Sequence, residues 1–200
     1  MLCIMKRKDK RELLNKCKWS NISIAKYNRL NGLLTDDVID TDKIIDIMQI
    51  IFEMPKEKLL EMNINDFNEL LLQVIKLKEV ETQKLKRIYM INGKSYKLKF
   101  KYDTWKKEFD VSTDQYMSFM NVLKANPEDI AAILSVVLVP TNAKFNKGYD
   151  LLELKSDIEN YLSIEDGMGI VFFLNLIFSA YYGIHTETQK VNEAKLNQII

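Results

Sequence analysis

The sequence predicts a mainly α-helical protein with a small β-hairpin, an α+β architecture in which two divergent copies of a three-helix unit pack together. Three observations predict it. Apolar residues recur at spacings of three and four along most of the chain, behind serine, threonine, asparagine or aspartate caps. One stretch in the middle alternates instead with a period of two. The 200 residues hold only three prolines and six glycines, so long helices are easier to build than many tight turns.

Residues 1–18 form a basic, polar leader, read as a fraying helix. The first unit occupies 19–80. Ser23 caps a helix whose Ile24, Tyr27, Leu30 and Leu34 share one face, and Thr35-Asp36-Asp37 ends it. Thr41 opens a second helix with the stripe Ile44, Ile45, Met48, Ile51 and Phe52, and Pro55 stops it. A short helix near Glu57 to Met62 leads to a third, capped by Asn63 or Asn65, with Phe67, Leu70, Leu71, Val74 and Leu77 facing inward.

Residues 81–185 carry the hairpin and the second unit. Lys86 to Tyr102 reads as the hairpin, because Asn92-Gly93 supplies the positive φ angles of a type I′ turn. Tyr96, Leu98, Phe100 and Tyr102 fall on one face and Lys97, Lys99 and Lys101 on the other, so one face is buried and one wet. Ser112 and Gln115 then read as a capping box, with Tyr116, Phe119 and Leu123 as the stripe. Asn126-Pro127 reads as the next helix start and Pro140 as its stop. A loop near Phe145 to Tyr149, a helix from about Leu151 to Leu162, and a long apolar helix capped by Ser163 follow. Residues 186–200 read as a polar tail.

The two units align. Ser23, Tyr27, Leu30 and Leu34 match Ser112, Tyr116, Phe119 and Leu123 at constant offset. Ile45, Met48, Ile51, Phe52 and Pro55 match Ile130, Ile133, Val136, Val137 and Pro140. Ile64, Asp66, Leu70, Leu71 and Val74 match Ile164, Asp166, Ile170, Val171 and Leu174. The second copy therefore has a longer connection after its proline.

Hydrophobic residues make up 47% and charged residues 28%, the balance of a globular chain. A net charge of +1 selects no partner by overall charge. Cys3 and Cys17 both lie in the leader, which points to a reduced compartment. Met1 to Met5 is too short for the apolar region of a secretory signal, and none is expected. The most apolar stretch, Gly169 to Ile184, falls short of the roughly 20 residues that cross a bilayer and reads as a core helix, so no membrane partner is expected.

Catalytic, cofactor and metal sites are not expected. His185 is the only histidine, and with two N-terminal cysteines it makes no zinc set. Asp36, Asp37, Asp40, Asp42 and Asp46 lack the glycine and terminal glutamate of a calcium loop. Gly167 and Gly169 open an apolar helix without the lysine of a phosphate loop. Between Lys76 and Lys107, eleven basic residues face only Glu79, Glu81 and Asp103. Nucleic-acid binding is nevertheless disfavoured, since the alternation puts hairpin aromatics and lysines on opposite faces.

The repeated unit resembles small tail assembly chaperones of bacteriophages. The matching parts are the hairpin Tyr89 to Tyr102, Ser112 to Leu123, Asp129 to Pro140 and Ser163 to Leu174. The first copy, Ser23 to Val74, is similar but lacks the hairpin. The resemblance implies a non-enzymatic factor in the host cytoplasm that binds a tape-measure or other tail protein through apolar surface. A virion structural or connector protein on the same unit, placed in the particle, is the alternative it implies; a nucleic-acid-binding accessory protein using the hairpin lysines is a second. Homo-oligomerisation is also compatible. Candidate partner anchors are Tyr96, Phe100, Trp105 and Tyr116, with core packing as the competing role for all four.

Overall fold

The computed structural model describes residues 7–34, 41–77, 85–100, 102–103, 108–109 and 111–178. The helix end expected at Thr35 to Asp37, Trp105, His185 and the tail from Thr186 lie outside them. The chain is mainly helical with a small antiparallel sheet, as the apolar periodicities predict. The first half contains α1 (Arg7–Lys16), α2 (Ile24–Leu34), α3 (Thr41–Phe52), α4 (Lys56–Leu60) and α5 (Ile64–Lys76). Strands β1 (Tyr89–Ile91), β2 (Lys94–Leu98), β3 (Tyr102–Asp103) and β4 (Glu108–Phe109) follow. The second half contains α6 (Thr113–Ala125), α7 (Ile130–Val137), β5 (Leu138–Pro140), α8 (Leu151–Tyr161) and a helix, α9, over 164–178.

The described part of the leader contains α1, which docks on the core. Leu13 and Leu14 pack on the core, and Lys10 donates to Asp66 of α5 at 2.8 Å and pairs with Glu69. Cys17 is a free, buried thiol, pushed up to about 12 by desolvation.

Several matched positions of the two units play matching roles, although Ile64 is exposed where its match Ile164 is buried. The Ser23 hydroxyl accepts from Lys26 N–H and the Ser112 hydroxyl from Gln115 N–H, each satisfying a donor in a first turn that has no intrahelical partner. Leu30 and Phe119 are both buried, as are Met48 and Ile133, Ile51 and Val136, Phe52 and Val137, and Leu70 and Ile170. Asp66 takes Lys10, from the segment before the first unit. Asp166 takes Lys86, from the segment before the second, at 2.7 Å. The units part after their second helices. Glu53 leaves α3 through a left-handed turn, φ 54°, whereas the matching Leu138 leaves α7 extended and begins β5.

The units share one core. Buried side chains run as a single cluster from Cys17 to Leu174. Ile24 N–H donates to Leu162 C=O at 3.2 Å and Ile164 N–H to Ile22 C=O at 2.8 Å, joining the start of α2 to the start of α9. Gly167 permits that approach. A Cβ there would lie 3.1 Å from Ile24 Cδ1 and 3.4 Å from Leu134 Cδ1.

The hairpin turns at Asn92 (φ 48°) and Gly93 (φ 71°), as a type I′ turn requires. β2 also pairs with β5, giving the sheet order β1-β2-β5. This corrects the expectation that Pro140 stops a helix. α7 ends at Val137 and the chain continues as a strand. Lys99 N–H donates to Val137 C=O and Thr141 N–H to Ser95 C=O, so odd-numbered residues of this segment turn their backbone groups toward β2. Pro140, which has no N–H to give, then faces outward on the sheet edge, where proline is tolerated and blocks further pairing. The small β3–β4 pair was not expected from sequence either.

One further start differs from expectation. Asn126 holds only a turn, its side chain accepting from Glu128 N–H, and α7 is capped instead by Asp129, which accepts from Ala132 N–H at 2.9 Å. The Asp129 carboxylate also takes Lys155 of α8 at 2.8 Å. Burial would raise its pKa; the lysine and the amide outweigh burial and hold it below the usual range. A depressed carboxylate contributes stability above its unfolded pKa and loses it as pH falls through the folded value. Asp129→Ala is therefore expected to cost about 1–2 kcal/mol at neutral pH, the scale of a lost cap plus a part-exposed ion pair. The gap to wild type should close below the ordinary aspartate range, around pH 3–4, which urea titrations at several pH values would read. A pH-independent gap would show that packing, not the charged cap, is what the substitution removes.

Candidate functional site

Of the four candidate anchors, Tyr96 and Phe100 pack in the core and offer a partner almost no surface, at 3% and 0% exposed. Tyr96 lies on the covered face of β2, opposite Tyr89 in β1. Burial raises its phenol pKa. Phe100 stacks within an aromatic trio, 4.7 Å from Phe119 and 5.9 Å from Phe178 between ring centroids. Tyr116 is half-buried on α6 and packs against the core. Trp105 lies outside the described residues.

Beside these residues lies a cleft. The wet face expected for β2 is only partly wet, because antiparallel pairing puts Val139 opposite Lys97, on the lysine side of the sheet. The start of α6 and the loop after β5 rise over this side. Between them is a cleft of about 460 Å³ lined by Lys99, Val111, Ser112, Asp114, Gln115, Val139, Lys144, Phe145 and Lys147. Lys144 and Lys147 are held by a tight turn: Lys147 N–H donates to Lys144 C=O at 3.1 Å, and Asn146 and Gly148 take φ values of 52° and 82°. Asparagine and glycine are the residues that adopt this left-handed backbone most readily, and Asn146-Lys147-Gly148 was the sequence signal for the turn.

Gln115 departs from the expected capping box. Its backbone N–H is taken by Ser112, but its side chain does not return to that serine. Nε2 instead donates to Val136 C=O at 2.8 Å, across 21 residues, at the back of the cleft.

Two apolar ridges lie elsewhere. Ile64, Leu72 and Ile75 are exposed along one side of α5, and Phe172 and Leu176 along one side of α9. At the offset that matches Leu70 with Ile170, Leu72 matches Phe172, and these are 56% and 51% exposed. The last helix of each unit thus buries one stripe and presents a large apolar side chain at the same outward position. The sequence reading missed both, since an outward leucine or phenylalanine in a leucine-rich helix looks the same as an inward one.

Among the described residues there is no cluster of histidine, cysteine and carboxylate side chains able to hold a metal ion. Nor is any helix there long and apolar enough to cross a membrane. No protein-family model, no curated protein and no solved structure matches the chain.

Proposed function

We propose that this chain is a non-catalytic assembly factor of the bacteriophage tail chaperone type, acting in the host cell, which holds an apolar helix of a tape-measure or other tail protein until assembly. The observation that carries this reading is the pair of outward apolar side chains at matched positions, Leu72 and Phe172. Contiguous apolar surface costs free energy in water, and its use on a folded chain is to be covered by a partner. Two apolar ridges that share this one matched position suit a partner with successive amphipathic helices, docked through anchors three and four residues apart. The competing nucleic-acid reading loses support from the burial of Tyr89, Tyr96 and Phe100, which leaves those hairpin aromatics unable to stack on bases.

Co-expression with the tape-measure protein of the same phage should yield a soluble complex. Leu72→Glu with Phe172→Glu should weaken it by at least about 30-fold, the scale of losing a central anchor pair. Circular dichroism should be unchanged, because both side chains face outward. Capture of no tail protein, or equal capture by the double variant, would sink the proposal. Mass spectrometry of purified particles separates a chaperone, absent from mature virions, from a connector, which stays in them.

A further inference from the structure

We infer that the cleft between the lysine side of the sheet, the start of α6 and the loop after β5 is a second docking site, which takes an acidic, partly apolar segment of a partner protein. The charge arrangement carries this. Elsewhere on the protein Lys10, Lys16, Lys26, Lys56, Lys86, Lys94 and Lys155 each meet a carboxylate within 3.1 Å. Lys97, next to the cleft, donates to Thr141 C=O at 2.9 Å. Lys99, Lys144 and Lys147 have no ion pair among the described residues, and all three are exposed on the cleft wall. Asp114 is the single carboxylate among the lining residues. In a chain whose net charge is only +1, three unneutralised ammonium groups around one concavity are a local excess. Such an excess attracts and orients carboxylates more than it adds raw affinity.

The rest of the wall selects among anions. Val111, Val139 and Phe145 supply an apolar lining, which favours a segment carrying aliphatic side chains between its carboxylates. A nucleic acid would want an exposed aromatic platform. The only aromatic on the wall, Phe145, is half-buried and packed on the core. The volume is that of a site for a few side chains. The backbone that carries these lysines is set in advance, at the turn of Asn146 and Gly148 and at the bond from Lys99 N–H to Val137 C=O, so that on binding it is the side chains that have to be ordered. This site stands apart from the ridges on α5 and α9 and does not depend on the partner being a tail protein.

The test uses the full chain and a fluorescein-labelled peptide of about eight residues mixing glutamate and leucine, by anisotropy at low salt. A lysine–leucine peptide and a thymidine oligonucleotide of equal length are run beside it. The glutamate–leucine peptide should bind, shift the amide resonances of Val111, Gln115 and Val139, and weaken as salt is raised, since exposed charges are screened within about 10 Å at 0.1 M. The variant Lys99→Ala, Lys144→Ala, Lys147→Ala should weaken it at least about tenfold, whereas Leu72→Glu with Phe172→Glu should leave it unchanged. Four results overturn the inference: no binding of the acidic peptide, equal binding by the triple variant, oligonucleotide binding as tight as peptide binding, or a concentration-dependent dimer abolished by the triple variant. The third would assign the cleft to nucleic acid and the fourth to a second copy of this chain.

Discussion

Phe119→Ala is expected to destabilise the protein by about 3–5 kcal/mol, read as a lower urea midpoint with an unchanged slope. Phe119 is buried at the centre of the aromatic trio, 4.7 Å from Phe100 and stacked at 5.1 Å on Phe178, with 3° between the latter rings. Truncation removes the transfer free energy of a whole ring and leaves a cavity that the neighbours can fill only in part. It also removes ring pairs worth about 0.5–1.5 kcal/mol beyond their area. Phe100 follows β2 and Phe178 ends the described part of α9, so this ring joins the hairpin to the last helix of the second unit. In a chain of this size the loss should lower Tm by on the order of 10 °C. Phe119→Leu, the residue type at the matching Leu30, should recover much of it. A loss for Phe119→Ala under about 1 kcal/mol would mean that the trio does not hold these elements together.

Gln115→Leu is expected to cost about 1–3 kcal/mol although it adds an apolar side chain to a buried position. The last carbonyls of α7 have no partner within the helix. Lys99 N–H takes Val137 C=O, and Gln115 Nε2 takes Val136 C=O. Leucine leaves the Val136 carbonyl buried and unpaired, and the desolvation penalty of that group then falls due in full. Gln115→Glu discriminates further. A carboxylate presented to a carbonyl cannot donate when ionised, so it should be at least as damaging at neutral pH and partly relieved in acid as it becomes protonated. If leucine proved neutral at every pH, the bond across 21 residues would be contributing nothing net.

Much of the local structure was legible. The serine caps at Ser23 and Ser112, the type I′ turn at Asn92-Gly93 and the inward stripes of α3 and α5 depend on near neighbours, and those neighbours are adjacent in the chain. The error at Asn126-Pro127 is of the same local kind. Two capping residues compete three positions apart, and Asp129 wins because it both caps α7 and meets Lys155 of α8. The cleft was not legible. It needs Val139 to be a strand residue, and Leu138 to Pro140 follows an apolar helix with no break other than the proline. Only an open edge on β2 makes extension of that segment favourable, and β2 lies about 40 residues earlier in the chain.

By itself, then, the sequence determined that this protein is mainly helical with a small antiparallel sheet, because caps, stripes and turns are short-range devices that each segment can specify alone. The tertiary structure decided what each repeated side chain is for. It sent Gln115 to a carbonyl of another helix, drew Tyr96 and Phe100 into the core, and turned Leu72 and Phe172 outward. Which side of a helix is covered depends on what packs against it, and period alone does not carry that information.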